Sequence, residues 1–435
     1  MIRPAVFNTN RLPPALRRLT PAAPVAALLA LILLFFHQMA FSNLILARGD
    51  TFLYFYPYWD AAAEALRAGR LPLWNPYLFM GAPFLANSQV GLFYPPNWPL
   101  WLLFDAPTAV KASILLHLAI AGCGAYLAAR QTLALGRDGA LATAVTFALG
   151  GYLTAQVEHV NQLQGLAWLP WFLVVLGRCA RERPLPRAVA IGRTATALAG
   201  LFALQLLAGH TQTAFITGVA VLLYGGGVWL AGYLTRRQAE GLPFRFAAQR
   251  VAQRLPLALL LGVGLAGVLA AVQLLPTQEL AQLSARQGGL PANEVLSFSL
   301  HPLLLPRALL PGFGQSLFSE YVAFVPLTLL LLAFVGGWQW RGWHGVLPAV
   351  VLVAAGLLLA LGIFNPLNWL LARLPGFNLF RVPARWLVLY ALGVALLAGA
   401  GWQVAWAHFQ MRARAAVDAL ADGPRPALAR PLRLG

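Results

Sequence analysis

Apolar stretches of roughly 17–25 residues recur from one end of this 435-residue chain to the other. As a helix, a stretch of that length crosses a hydrocarbon core of about 30 Å. Sixty per cent of the residues are apolar and only 10% are charged, whereas soluble domains carry about 25% charged residues. Backbone groups in lipid must be hydrogen-bonded internally, and the alternation typical of a β-barrel is absent. We therefore predict an all-α chain whose helices span a membrane.

The pattern predicts a polytopic bundle of about ten spans within residues 23–404, flanked by basic tails at 1–22 and 405–435. The first span is interpreted as a retained anchor, because its apolar run is long and no clear cleavage site follows it. Three longer connections, at 42–107, 276–321 and 362–385, should form a cap on one side of the membrane. The predicted spans lie near 23–41, 108–128, 139–156, 163–177, 190–207, 213–233, 255–275, 322–338, 344–361 and 386–404.

The net charge of +18 could indicate a nucleic-acid partner, but the distribution of the charges argues against one. With the N-terminus in the cytoplasm, 22 of the 31 Lys and Arg residues fall in the tails and loops of the inner side, and 9 fall outside. This asymmetry follows the positive-inside rule, so it fixes the predicted orientation and accounts for the basic pI. Membrane lipids, and no nucleic acid, are the expected partners of these basic segments.

The first outer connection is rich in Trp, Tyr, Pro and Asn. Residues 60–67 favour a short helix, with Tyr58, Trp59 and Ala62 on an apolar face that suits the membrane interface. Pro72 and Pro76 should end it. An aromatic belt at the interface is the competing interpretation for most of the Trp and Tyr residues.

Four residues with acid–base chemistry are placed on the outer side by the arginine-derived topology. Asp50 follows the first span by about nine residues, and Glu158 and His159 occupy the turn between the third and fourth spans. His210 lies in the next outer turn. Asp50 is either an interfacial carboxylate paired with Arg48 or a general base, since partial desolvation would let it accept a proton from a hydroxyl.

Arg381 and Arg385 precede the tenth span on the outer side, where the positive-inside rule disfavours arginine. The start of a helix favours anions, so a phosphate or pyrophosphate site is one interpretation, and contact with lipid headgroups is the other. A divalent cation is an option for the acidic turn, although neither Glu-His nor His-Thr-Gln has a dedicated ligand spacing. Five further polar residues of the 276–321 connection could line the same cavity: Glu279, Arg286, His301, Arg307 and Glu320.

Several short sequences, in order along most of the chain, resemble the bacterial YfhO-like membrane proteins of the C-type glycosyltransferase superfamily. They are Gly49-Asp50, Tyr56-Pro57, Gly69-Arg-Leu-Pro-Leu-Trp-Asn-Pro76, Gly81-Ala-Pro-Phe84, Tyr94-Pro95, Gly209-His210-x-Gln212, Leu275-Pro276 with Glu279, and Phe380-Arg-x-Pro-x-Arg385. The resemblance implies a C-type glycosyltransferase-like fold in the bacterial plasma membrane. It also implies transfer of a sugar from a polyprenyl-phosphate-linked donor to a cell-envelope acceptor on the outer face.

The same resemblance suggests roles for individual residues. Asp50 looks like the catalytic base of the first outer loop, and Glu158 and His159 correspond to a second acidic cluster. Substrate binding is implied for Trp74, Asn75, His210, Gln212, Arg381 and Arg385, with the two arginines near the donor phosphate.

Two other functions stay open at the level of the sequence. A transporter or flippase would carry ionisable residues near the bilayer midplane, but here the span interiors are nearly free of charge. A noncatalytic assembly protein would use the outer aromatic cap to bind a partner.

Overall fold

The structure is a computed structural model that describes residues 22–78, 80–181, 185–235, 243–284, 287–310, 317–338 and 346–421. Most of the two predicted basic tails, namely residues 1–21 and 422–435, lies outside the described residues, as does Arg286. The predicted start of the C-terminal tail at residue 405 falls within a helix, because the last helix, Leu387–Ala421, continues well past the expected end of the tenth span.

The fold is an all-α polytopic bundle, as the hydropathy pattern predicts. Within the described residues, seven helical segments are long and apolar enough to cross a membrane: Ala106–Thr132, Arg137–Glu158, Val160–Ala180, Arg187–Leu207, Thr211–Leu234, Arg250–Leu269 and Pro383–Val417. Three shorter apolar helices, Ala23–Phe35, Leu327–Trp338 and Val346–Ala360, match the remaining predicted spans. In chain order these ten segments are called spans 1 to 10.

The connections contain short helices and one small sheet. The first has α-helices His37–Phe41, Tyr56–Arg67 and Asn97–Leu103, a π-helix Thr51–Phe55, a 3₁₀ turn Ser88–Val90, and strands β1 (Trp74–Asn75) and β2 (Ala82–Pro83), which pair antiparallel. The connection from span 7 to span 8 has α-helices Ala271–Gln282, Ala292–Val295 and Leu305–Leu309 and 3₁₀ turns Pro302–Leu304 and Ser319–Tyr321. The connection into span 10 has α-helix Pro366–Leu371 and 3₁₀ turns Gly362–Phe364, Phe377–Leu379 and Pro383–Trp386.

The cap helix Tyr56–Arg67 confirms the helix predicted over 60–67, but its apolar face meets protein instead of lipid. Trp59 and Ala62 are fully buried, and the Trp59 ring meets that of Trp101 edge to face at 5.5 Å. The Arg67 guanidinium donates to the carbonyl oxygens of Trp101 and Phe104, both at 2.7 Å. The first outer connection is therefore fixed to the bundle by packing and hydrogen bonds.

The helix of span 3 is interrupted shortly before Glu158 and His159. Its first helix, Arg137–Ala148, gives way to an extended Gly150 and resumes as Gly151–Ala155, followed by a 3₁₀ turn, Gln156–Glu158. Gly151 donates its N–H to the carbonyl of Phe324 at 2.7 Å, and a Cβ at Gly151 would lie 2.7 Å from the Phe324 backbone. Close contact with the segment before span 8 thus sets where Glu158 emerges.

Span 10 is the most deeply buried of the seven long spans, and it packs against spans 3, 8 and 9. Glycines allow the backbones to approach closely, because a Cβ at these positions would overlap a neighbouring backbone atom. At Gly336 of span 8 the obstacle would be the Leu397 carbonyl oxygen, and at Gly401 of span 10 it would be the Leu332 carbonyl oxygen.

The neighbouring glycines of span 8 provide a matched test of this packing. Gly336→Ala should destabilise the bundle by about 1–3 kcal/mol, since a well-packed interface must move to accept the methyl group. Gly337→Ala should be neutral or slightly stabilising, because among the described residues nothing lies within 4 Å of that methyl position. Thermal unfolding in detergent, followed by tryptophan fluorescence, measures both variants. Equal melting temperatures would contradict this account of the contact between spans 8 and 10.

Candidate active site

Polar side chains from all five connections between an odd-numbered span and the next even-numbered span lie at one end of the bundle. Asp50 precedes span 2, His159 lies between spans 3 and 4, and His210 lies between spans 5 and 6. Glu320 precedes span 8 and Arg385 begins span 10. Successive spans that cross in alternating directions bring these connections to the same side, and the contacts below show that they meet.

Two close side-chain pairs join the first connection to the turn after span 3. Arg48 Nε lies 3.2 Å from Glu158 Oε2, and Asp50 Oδ2 lies 4.0 Å from His159 Nε2. The side chains of Arg48 and Asp50 are 68% and 62% exposed, whereas that of Glu158 is 15% exposed. Arg48 therefore pairs with Glu158, and not with Asp50 as one interpretation of the sequence suggested. The Asp50 carboxylate is left open to solvent beside a half-buried imidazole.

The backbone between these two pairs has little freedom. Gly49 adopts φ +51°, and a Cβ there would lie 2.9 Å from Glu158 Oε2. The buried Thr51 hydroxyl donates to the Glu158 carbonyl oxygen at 3.2 Å. The positive φ favours glycine here, and a larger residue would also displace the end of the Glu158 side chain.

Lys111 and Tyr56 hold the segment that leads to Arg48. Lys111 Nζ donates to the carbonyl oxygens of Ser42 and Leu44, at 3.0 and 3.2 Å. The backbone N–H of Leu46 donates to the Tyr56 hydroxyl at 3.1 Å. These contacts anchor the segment to span 2 and to the cap helix Tyr56–Arg67.

A second group lies behind the first and is more deeply buried. Arg385 donates from Nε and Nη2 to Glu320 Oε1, at 2.8 and 2.7 Å, and from Nη1 to Gln212 Oε1 at 2.6 Å. The Glu320 side chain is only 1% exposed, and its other oxygen accepts from Gln162 Nε2 at 3.3 Å. The Tyr152 hydroxyl donates to the Arg385 carbonyl oxygen. The predicted phosphate contact of Arg385 would therefore require this network to open.

His210 connects the two groups. Its Nδ1 is hydrogen-bonded to the Thr213 hydroxyl at 2.6 Å. Burial lowers the pKa of His210 well below its usual value, and the positive charges of Arg385 and His159 lower it further. His210 is therefore neutral near pH 7 and lies within electrostatic reach of both groups.

The turn that carries His210 needs a glycine. Gly209 has φ +86°, and a Cβ there would overlap the carbonyl oxygen of Ser88 from the first outer connection. The Ser88 hydroxyl donates to the Gly209 carbonyl oxygen at 3.4 Å. This contact holds the span 5–6 turn against the first connection.

Arg381 faces outward, unlike Arg385. Its side chain is exposed, and its carbonyl oxygen accepts from Gln212 Nε2 at 2.7 Å. Val382, which follows Arg381, adopts φ +67° and ψ 71°, a left-handed conformation that is costly for a β-branched residue. This turn directs one guanidinium into the protein and the other toward solvent. Among the described residues, the Arg381 guanidinium has no hydrogen bond or ion pair.

Trp74 and Asn75, both predicted to bind substrate, lie in the β1–β2 hairpin. The Asn75 side chain accepts from the Tyr77 N–H at 3.0 Å, and the exposed Trp74 ring covers Gly81. Within the described ranges, no hydrogen bond or ion pair joins either residue to Asp50, His159 or Arg385. Their predicted role stays a prediction.

The polar residues predicted in the 276–321 connection lie partly in the site and partly around it. Glu320 is the member of the 276–321 connection that enters the buried network. Glu279 is exposed on Ala271–Gln282, and the His301 ring packs edge to face with Phe364 at 4.6 Å. In the described part of the chain, no group of three or more His, Cys, Asp or Glu side chains is arranged to hold a metal ion.

A cavity of about 270 Å³ opens beside the Arg48–Glu158 pair. We call it the outer cavity; its lining includes Leu46, Arg48, Thr51, Ala155, Glu158 and Ser319. The Ser319 hydroxyl and His159 Nδ1 are buried with no hydrogen-bond partner among the described residues. Asp50 thus lies at the end of a bundle that also contains space for a ligand.

Besides Gln212, which was predicted, two glutamines to which the sequence analysis gave no role lie beside the buried ion pair, Gln156 and Gln162. Gln162 Nε2 also donates to Gln156 Oε1 at 3.2 Å, and Gln156 Nε2 donates to the Ser319 carbonyl oxygen at 3.3 Å. Both glutamines occur in apolar sequence near the outer ends of spans 3 and 4. Such polar residues are costly in lipid unless they face one another, and this cost is the signal that could have revealed them.

Breaking the buried ion pair should be far more costly than removing an exposed carboxylate. Glu320→Ala leaves Arg385 buried without its counter-charge, so we expect a loss of about 3–5 kcal/mol. Glu279→Ala, at an exposed position of the same connection, should change stability by no more than about 0.5 kcal/mol. Thermal melts of the purified variants provide the comparison. Similar melting temperatures for the two variants would show that the pair contributes no more than a surface charge.

His210 should make stability depend on pH. A histidine whose pKa is lower in the folded than in the unfolded state contributes stability above the unfolded value of about 6.5, and this stability is lost as the pH falls toward the folded value. His210→Gln should remove this contribution. We therefore expect a smaller drop in melting temperature between pH 7.5 and 5.5 for the variant than for the unmodified protein. Identical drops would rule out a buried neutral imidazole.

No family model matches the sequence, and no curated protein matches it at a significant level. A solved structure with some similarity is the Archaeoglobus fulgidus oligosaccharyltransferase in its apo form, with 12% sequence identity and a TM-score of 0.48. The similarity covers 91% of this chain and 52% of that one, so the present chain spans about half the length of the archaeal protein. A likeness of this degree assigns neither a fold family nor an activity to the chain.

Proposed function

We propose that this protein is an integral membrane glycosyltransferase that takes a sugar from a polyprenyl-phosphate-linked donor and transfers it to a cell-envelope acceptor. The reaction takes place on the outer face of a bacterial plasma membrane, with the N-terminus in the cytoplasm. The observation that carries the proposal is the exposed Asp50 carboxylate, 4.0 Å from His159, at the end of the bundle where five connections meet. The outer cavity beside it provides a place for part of the donor.

The proposed chemistry is a single displacement. Asp50 accepts the proton of an acceptor hydroxyl, and the hydroxyl oxygen forms a bond to the anomeric carbon. The bond from that carbon to the phosphate oxygen breaks, and the lipid phosphate leaves with the electron pair. Because phosphate is a good leaving group, positioning and charge neutralisation contribute most of the rate.

The other residues support these roles. His159 holds the Asp50 carboxylate, and Glu158 orients Arg48. Arg381 is exposed and available to an anion, so it stays the predicted phosphate ligand of the last outer connection. Arg385, Gln212 and Glu320 act by fixing the ends of spans 6 and 10. Trp74 and Asn75 are proposed to contact substrate from the hairpin.

Replacing the proposed base tests the proposal directly. Asp50→Asn keeps the size of the side chain but removes its basicity, so transfer should fall by about 10²–10⁴-fold. Asp60→Asn, at an exposed carboxylate on Tyr56–Arg67, is the matched control and should keep full activity. The assay uses purified protein in proteoliposomes with radiolabelled polyprenyl-phosphate sugars and envelope glycans as acceptors.

The outcomes also separate the alternative functions. Transfer that depends on Asp50 supports the enzyme, while undiminished transfer by Asp50→Asn removes Asp50 from the mechanism. Movement of the labelled lipid across the bilayer without transfer supports a flippase. The absence of both transfer and lipid movement supports a noncatalytic assembly protein.

A further inference from the structure

The walls of the outer cavity are mostly apolar. Leu46, Ala155, Val157, Leu317 and Val322 come from three segments of the chain: the first connection, the end of span 3 and the approach to span 8. The volume of about 270 Å³ is just below the roughly 300–1,000 Å³ of pockets that enclose a drug-sized molecule. Such a cavity suits a short length of hydrocarbon chain, with the rest of the ligand outside.

The mouth of the cavity carries an arginine whose hydrogen-bonding capacity is largely unused. The closest contact of Arg48 to Glu158 is from Nε, at 3.2 Å, and in the ranges that the structure describes no hydrogen bond is made by its terminal nitrogens. In Arg385, by contrast, all three nitrogens are bound within the protein. A guanidinium that is held at Nε and open at both terminal nitrogens can bind a phosphate through two parallel hydrogen bonds.

The cavity wall has a second polar feature. Ser319 is 5% exposed, and its hydroxyl is buried without a partner among the described residues. A buried hydroxyl without a hydrogen bond is costly, which points to a ligand oxygen or a water as its partner when the site is filled. The lining also includes Thr51, Thr154 and the Glu158 carboxylate beside Arg48, so the apolar walls carry one guanidinium, one carboxylate and three hydroxyls. Apolar walls with a guanidinium at the mouth match an amphiphile whose anionic head meets Arg48.

We propose that the outer cavity binds the isoprene units nearest the phosphate of a polyprenyl phosphate, and that Arg48 holds this phosphate. This inference rests on the proposed function and specifies the position of its donor. Asp50 follows Arg48 by two residues, so a phosphate on Arg48 brings the anomeric carbon bonded to it close to the Asp50 carboxylate. Arg381 is exposed as well, but it does not line this cavity.

Binding without turnover tests the site. Purified protein in phosphatidylcholine nanodiscs is titrated with tritiated farnesyl phosphate, which has the phosphate and three isoprene units but no sugar. Arg48→Gln should weaken binding about 10- to 100-fold, because a charge-assisted hydrogen bond is lost. Ala155→Leu, which fills the cavity, should weaken it at least about tenfold. Arg373→Gln, at an exposed arginine of the 362–385 connection that does not line the cavity, is the matched control and should bind like the unmodified protein.

Competition identifies the source of the anion. Unlabelled farnesyl phosphate should displace the label, whereas inorganic phosphate, farnesol and phosphatidylglycerol should compete at least about tenfold more weakly. Equal competition by phosphatidylglycerol would overturn the assignment to an isoprenoid carrier and indicate an ordinary lipid site. Unchanged binding by Arg48→Gln, or an equal loss of binding in Arg373→Gln, would also overturn it.

The binding assay contains no sugar donor and no acceptor, so its result is independent of the transfer assay. Arg48-dependent binding in a protein that transfers no sugar would leave this site standing while the glycosyltransferase proposal fails. If transfer depends on Asp50 but the binding of farnesyl phosphate does not depend on Arg48, the glycosyltransferase proposal stands and this binding site fails.

Discussion

The Arg385–Glu320 ion pair is the interaction on which the end of the bundle that carries the candidate site depends. Removing two charges from water costs several kcal/mol per ion, and the cost is offset only when geometry and further hydrogen bonds are good. Here three guanidinium nitrogens are satisfied, and both carboxylate oxygens have partners. Because Glu320 precedes span 8, Gln212 begins span 6 and Arg385 begins span 10, the pair fixes the relative positions of three spans.

Because this buried network is rigid, side chains nearer the solvent can stay exposed. Of the arginines at the candidate site, Arg48 and Arg381 present their guanidinium groups to solvent, whereas the Arg385 guanidinium is hydrogen-bonded within the protein. The strained backbone at Val382 is where the chain separates the inward from the outward arginine. Strain of this kind persists only when the surroundings fix the backbone, and the buried pair provides that constraint.

Hydropathy and arginine placement predicted the all-α bundle and the ten apolar segments, because lipid leaves the backbone few choices. Topology also predicted that Asp50, His159 and His210 share one side. Topology could not predict which partner each residue takes. Arg48 binds Glu158 because the Gly49 backbone lies against the Glu158 side chain, a contact between residues more than 100 positions apart. The Arg385 guanidinium points inward because it pairs with Glu320, and the position of Glu320 in the sequence did not predict this pair.

The exposure of Asp50 changes how its proposed basicity would arise. The sequence suggested desolvation at the membrane interface, but the side chain is 62% exposed, so the protein alone does not remove it from water. In the proposed complex, the substrates would do so: a lipid phosphate on Arg48 and an acceptor sugar would cover the carboxylate from either side. Water would then be excluded from the carboxylate and the anomeric carbon only when both substrates are bound, which limits loss of the activated sugar to water.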